Sequence, residues 1–174
     1  MDLFTVPTAT FRVLYVLVML RHDRRRILHF NVTDNPTDAW MARQILEAFP
    51  WSVEASILLR DRGAVFGAQF RATLKAIGPQ DRSVAARSPW QNGHVERLIG
   101  SIRRECLDHV IVLGERHLRR VLQDYITYYH QTRTHLSLGK DAPHPRAVHG
   151  PDLGEIRAVP KVGGLHHLYV RGAA

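Results

Sequence analysis

Three acidic residues stand where their surroundings set them apart, and one amide accompanies them. Asp2 lies in a run of strand formers, Leu3-Phe4-Thr5-Val6, although Asp is depleted in strands. Asp61 closes the apolar segment Ser56-Ile57-Leu58-Leu59-Arg60-Asp61. Glu96 borders the helical stripe of Val95, Leu98, Ile99 and Ile102, and Asn92 precedes it by one turn. Three converging carboxylates repel one another unless a cation lies between them. Hard oxygen ligands suit Mg²⁺ or Mn²⁺. Two such ions about 4 Å apart activate a water or a sugar hydroxyl and stabilise a leaving 3′ oxygen in an in-line phosphoryl transfer. Each acid also has a plainer reading on its own. Asp2 reads as a solvated terminus, Asp61 as a turn or cap residue, and Glu96 as a helix carboxylate paired with Arg103 or another nearby Arg.

The acids meet only if the elements that carry them do. Asp2 to Thr8 reads as a strand that Pro7 ends. Phe11 to Leu20 reads as a nearly all-apolar strand buried on both faces, and Arg26 to Val32 as a third strand. Short connections make these three an antiparallel meander. Thr37 to Phe49 reads as a helix that Pro50 stops. Ser56 to Asp61 is a short strand, Val65 to Ile77 a helix broken by Gly78-Pro79, and Ser83 to Ala86 a weak strand. Ser88-Pro89-Trp90-Gln91-Asn92-Gly93 reads as a loop turning into a helix from about Gln91. On this reading Glu96 is held near the core surface rather than in water. A further helix runs from about Glu115 to Tyr129. The order predicts a mixed sheet with helices on its faces, and sites in such sheets form at strand ends, where loops gather. If strand one lies centrally and pairs beside the strand that ends at Asp61, the two carboxylates can approach each other, and Glu96 could join them from its helix.

Composition narrows the chemistry. The chain has 174 residues, 45% of them hydrophobic, which supports one domain with a short appendage and a real core. Lys and Arg total 24 against 16 acids, a formal charge of +8, and most of the bases are Arg. Arg suits bidentate phosphate contacts, so a nucleic acid is the favoured partner, ahead of an anionic membrane surface. The single cysteine, Cys106, rules out an intrachain disulfide and fits a reducing, cytoplasmic setting. The apolar run Val13 to Leu20 is too short to span a bilayer, and Arg21-His22-Asp23-Arg24-Arg25-Arg26 follows it instead of a cleavage site. The eleven histidines show no structural zinc spacing, and no Gly-x-Ser-x-Gly element supports serine transesterification.

The residues carry a resemblance. Asp-x-Phe-Thr-Val-Pro-Thr from Asp2, Leu-Leu-Arg-Asp-Arg up to Arg62, and Ser-Pro-Trp-Gln-Asn-x-x-Val-Glu-Arg from Ser88 to Arg97 resemble the DDE-type integrase core of bacterial insertion-sequence transposases, relatives of retroviral integrases. That family keeps an interval of about 35 between its second and third acids, and Asp61 and Glu96 are 35 residues apart. The stretch from Tyr129 to Leu138, followed by Pro143, is similar to the family's closing motif, so the resemblance runs from Asp2 to about Val148. It implies a ribonuclease H-like α/β fold: a mixed five-stranded sheet, three antiparallel strands first, flanked by helices. It implies a catalytic core over 1–148 with a partly extended tail over 149–174. It implies Asp2, Asp61 and Glu96 as catalytic residues and ligands of two Mg²⁺ or Mn²⁺ ions.

The activity implied is metal-dependent DNA strand cleavage and transfer at element ends, with host DNA as target and oligomers forming on the DNA. Asn92 either lines the site and touches DNA or a water, or is a plain helix-entry residue. Trp90 either buttresses its loop or stacks on a base. Arg97, Arg103 and Arg104 either face phosphate or form a solvated arc, and Arg133 of the closing stretch is grouped with them as a DNA contact. DNA affinity is then expected to fall steeply with salt. Such transposases usually carry a helix-turn-helix region ahead of the core. Only Met1 stands ahead of Asp2 here, so that region is expected to be separate or missing, and Asp2 to be weakly anchored. The alternatives are a truncated, non-catalytic DNA-binding fragment of a transposase and a nuclease of the same fold.

Overall fold

The computed structural model describes residues 1–49, 57–85 and 87–172. Three strands come first: β1 (Asp2–Pro7), β2 (Val13–Arg21) and β3 (Arg26–Thr33). They pair antiparallel in the order β1-β2-β3, with Asp2 opposite Val18 and Phe4 opposite Val16. Thr8 holds the first turn, its Oγ1 accepting from the Arg12 amide and donating to the Arg12 carbonyl, both at 3.1 Å.

The middle strand shows why the apolar run from Val13 had to be internal. Side chains alternate along a strand. Leu14, Val16 and Val18 enter one core, while Leu17 and Met19 enter a second core on the opposite face. The first core is completed by α3 (Gly93–Glu105) and α4 (Glu115–Gln131), through residues such as Leu98, Ile102, Leu122 and Tyr125. The second is completed by α1 (Asp38–Ala48) and α2 (Ala68–Ile77), through Met41, Ile45, Phe70 and Leu74. The first of these helices starts where its sequence asks, whereas the second starts at Ala68, after the expected Val65. Thr37 caps α1 by accepting from the Trp40 amide at 3.1 Å. Gly67 gives α2 no side-chain cap, and Asp38 of α1 supplies one, accepting from the amides of Gly67, Gln69 and Phe70 at 3.1, 2.9 and 2.8 Å. A Cβ at Gly67 would collide with that carboxylate.

Two expectations are corrected. β4 (Ile57–Arg60) pairs in parallel with β5 (Gln80–Ser83), and the two form a ladder of their own instead of extending the first three strands. The ladders meet where the Met1 ammonium donates to the Leu59 carbonyl at 2.6 Å, which brings the start of β1 beside β4. β1 is thus an edge of its own ladder rather than a central strand. The fifth strand also lies earlier than Ser83 to Ala86, in a polar stretch with no apolar signal. Its Asp81 accepts from Arg60 Nε and Nη2, both at 2.7 Å, so the ladder is stitched by a bidentate ion pair rather than by apolar burial. The expected helix stop at Pro50, the expected strand start at Ser56 and Ala86 lie outside the described residues.

The tail forms a hairpin of β6 (Glu155–Lys161) and β7 (His166–Gly172). One face meets α4 and the end of α3. His166 stacks on Tyr128 with ring centroids 4.3 Å apart, and its Nε2 lies 2.8 Å from the Glu105 carbonyl. The whole is an α/β fold with mixed sheets flanked by helices.

Candidate active site

Asp2 is firmly held, contrary to the expectation of a loose end. Its carboxylate is half-buried, accepts from the Leu3 amide at 2.8 Å, and accepts from Asn92 Nδ2 at 3.3 Å. The Met1 ammonium is anchored on Leu59 next door. Asp61 directly follows β4, and its Oδ1 accepts from the Gly63 amide at 3.2 Å, a local turn that sets the carboxylate's direction. Glu96 stands in the first turn of α3, where the helix dipole favours an anion. It is exposed, which corrects the expectation of a carboxylate held at the core surface: Val95 and Leu98 fill the buried arc on either side of it.

The three acids share one electrostatic neighbourhood. Burial raises the proton affinity of Asp2 first, and the negative charges of Asp61 and Glu96 raise it further. The Leu3 amide and the Met1 ammonium oppose this. The ammonium itself is lowered to about 6 by burial, against the attraction of Asp2 and Asp61. Still, among the described residues no group of three His, Cys, Asp or Glu side chains is close enough to form a ready metal cluster. The donor chemistry of the three side chains, all carboxylates, is that of a hard divalent ion.

The accompanying residues divide. Asn92 is buried and orients Asp2, so it is tied to the site through a carboxylate. Trp90 is 73% exposed and therefore does not buttress its loop from within. The loop is pinned by Gln91, whose Oε1 accepts from the Ala85 amide at 2.7 Å. Arg97 and Arg104 are exposed on α3. Arg103 leans on β1, donating to the Thr5 carbonyl at 3.1 Å with its guanidinium 5.3 Å from the Phe4 ring centroid. Arg133 is engaged within the protein: Nε and Nη2 each donate to Glu105 at 2.7 Å, and the group lies over Tyr129.

Sequence reasoning passed over Arg60 and Arg62, which flank Asp61. Arg60 Nη1 donates to the Asp61 carbonyl at 3.0 Å, and Arg62 Nε donates to the Val84 carbonyl at 2.9 Å. The Leu-Leu-Arg-Asp-Arg stretch was a visible signal, but the partners lie about twenty residues on, in a strand without apolar pattern.

Residues 80–143, which include Glu96 and the closing stretch, match the family model described as Integrase core domain. That stretch of the chain is therefore similar to an integrase core domain. An insertion-element relative from Xanthomonas euvesicatoria, the "Insertion element IS476 uncharacterized 39.2 kDa protein", is 25% identical over 167 residues. That alignment takes in 95% of this chain and 48% of the relative, so the chain spans about half the length of that relative. Two solved structures share the fold of this chain. One is the simian T-cell lymphotropic virus intasome in complex with PP2A regulatory subunit B56 gamma, with a TM-score of 0.64 at 12% identity, over 97% of this chain and 64% of that one. The other is the catalytic core domain of BIV integrase, with a TM-score of 0.53 at 16% identity, over 82% and 89%. The chain therefore has a ribonuclease H-like α/β fold that resembles retroviral integrase catalytic cores. Among the described residues no helix is long and apolar enough to cross a membrane.

Proposed function

We propose that this chain is the catalytic core of a DDE-type transposase, residues 1–148, with 149–174 as a C-terminal appendage. It cleaves DNA strands at element ends and transfers them to host DNA, working in the cytoplasm as an oligomer assembled on DNA, with end recognition in a helix-turn-helix region outside this chain. Asp2, Asp61 and Glu96 are its catalytic acids, and the observation that carries the reading is the link between their elements: Asn92, at the head of the helix that carries Glu96, donates to Asp2, and the Met1 ammonium on the Leu59 carbonyl brings Asp2 beside the strand that Asp61 follows. Those carboxylates would hold Mg²⁺ or Mn²⁺, a pair of which, when bound, supplies an activated hydroxyl and neutralises the leaving 3′ oxygen.

The chain's own residues do the rest. Asn92 fixes one oxygen of Asp2, so that carboxylate points the same way with each substrate. The Gly63 amide does the same for Asp61. The start of α3 favours the charge of Glu96 through the helix dipole. Exposed Trp90, Arg97 and Arg104 line the approach as DNA contacts, whereas Arg103 and Arg133 act by bracing the scaffold. A non-catalytic DNA-binding role is the second reading, favoured by the spread of the three acids among the described residues.

Mg²⁺-dependent nicking or strand transfer on an end-containing duplex separates the two. Asp61→Asn and Glu96→Gln are expected to lower either activity at least a hundredfold while leaving DNA binding unchanged. Variants that nick as well as the parent chain would overturn the role assignment, and binding without any nicking by the parent chain would favour the second reading.

A further inference from the structure

Away from the acids, a cleft of about 650 Å³ opens between the β6–β7 hairpin, the turn at 139–141 and residues 146–149. Three cations line it: Lys140, Arg146 and Arg171. None of them has a carboxylate partner among the described residues. The carboxylate in its wall, Asp141, is already committed. Its Oδ2 accepts from Arg24 at 3.1 Å, and its Oδ1 accepts from the amides of Ala142 at 2.8 Å and Arg146 at 3.4 Å. The cleft therefore carries uncompensated positive charge in a concave surface, which concentrates anions.

Its outer rim is aromatic. In the hairpin register Ile156 lies opposite Arg171 and Ala158 opposite Tyr169, so Tyr169 and Arg171 share the face turned away from His166 and α4. Tyr169 is 66% exposed and Ile156 60%. The walls are fixed in place. Arg24 also donates to the carbonyls of Pro143 at 2.9 Å and Ala142 at 3.1 Å, and Lys140 adopts φ 65° with its amide donating to the His135 carbonyl at 3.0 Å. The β2–β3 turn joins this region to the acids: Arg24 holds 141–143, and two residues earlier the His22 ring lies 4.9 Å from that of His94, on the helix that carries Glu96.

We propose that this cleft is a second DNA-contact surface, which holds an unpaired strand with its phosphates on Lys140, Arg146 and Arg171 and a base stacked on Tyr169. Cations that track a backbone beside an exposed aromatic ring are what single-stranded DNA requires, since every base offers a stacking face. The identity of the polyanion rests on the reading of the chain as a DNA-processing core; the charge and the ring do not.

The test is anisotropy of a fluorescein-labelled single-stranded oligonucleotide and its duplex, titrated with the full chain over a salt series. K140A/R146A/R171A is expected to bind the single strand at least tenfold more weakly, with a log K against log salt slope shallower by about 2, three phosphates at about 0.7 each. Lys140→Glu, on an exposed turn away from the hairpin pairing, is expected to weaken binding in the same direction and guards against a folding defect. Tyr169→Ala is expected to cost about tenfold on the single strand and less on the duplex. Unchanged affinity and slope in the cation variants would overturn the proposal, as would an equal loss on both DNAs from Tyr169→Ala. Failure here is separable from failure of the catalytic reading. A parent chain that nicks while the cleft variants bind normally refutes only the cleft, and a parent chain that never nicks while they lose binding refutes only the catalysis.

Discussion

Arg133 and Glu105 lie 28 residues apart in sequence and are joined by two hydrogen bonds of 2.7 Å, with Tyr125 donating its hydroxyl to the same carboxylate at 2.8 Å. Burial pushes the Glu105 carboxyl up, but the Arg133 and Tyr125 hydrogen bonds outweigh it and hold the group below its ordinary value of 4.5. A carboxyl depressed on folding contributes stability that is complete above its unfolded pKa and is lost as pH falls through the folded one. Arg133→Ala leaves a half-buried carboxylate without its cation and is expected to cost roughly 2 kcal/mol in a urea titration at pH 7, with a smaller gap from the parent chain below pH 4. Arg133→Lys cannot restore the bidentate geometry and is expected to recover little of it. Unchanged stability with weakened DNA binding would instead return Arg133 to the DNA surface. Residue identity made Arg133 conspicuous; its partner was invisible because a pattern along the chain does not report which helix faces which. Asn92 shows the converse, since the sequence left it between a site residue and a plain helix-entry residue, and its side chain donates to Asp2.

Among the elements, those with an apolar period were readable and those held by ion pairs were not. β2 was readable because eight consecutive apolar or aromatic residues, Val13 to Leu20, leave few alternatives to a strand with a core on each face. α3 was readable from its single stripe, although Glu96, placed at the border of that stripe, is exposed. β5, Gln-Asp-Arg-Ser, has no period at all and exists because Arg60 needs Asp81. Arg60 is buried, with its guanidinium 4.8 Å from the Phe66 ring centroid and 5.5 Å from that of Phe70. Asp81→Ala leaves this cation against two rings with the Asp61 carbonyl as its one remaining acceptor among the described residues, and is expected to destabilise the fold by roughly 3 kcal/mol. The same change frees the turn that carries Asp61, so any metal-dependent nicking is expected to fall further than the loss of folded protein explains. A stable variant with full nicking would show that β4 is positioned by its core face through Leu58 alone.

For the molecule as a whole, the open question is whether the three acids act as one site, and global stability reports it without any need for turnover. Asp2, Asp61 and Glu96 are carried by β1, which packs on both cores, the end of β4, which packs on the second, and α3, which packs on the first. A cation held by all three ties those bodies together, and a ligand that binds only the folded chain adds RT ln(1 + [L]/Kd), about 2.7 kcal/mol at a hundredfold excess over Kd. For a chain of this size each kcal/mol moves the midpoint by about 2–4 °C, so saturating Mn²⁺ is expected to raise it by about 5–10 °C. Like charges in one neighbourhood are also destabilising when no cation separates them. Glu96→Gln is therefore expected to leave the metal-free midpoint unchanged or slightly higher, and to abolish most of the Mn²⁺ shift. The combination discriminates, because a merely structural Glu96 would lower the midpoint and leave the shift in place. Should Mn²⁺ give the same rise in the parent chain and in the Glu96→Gln and Asp61→Asn variants, the ion binds elsewhere and the three acids are neighbours in potential only.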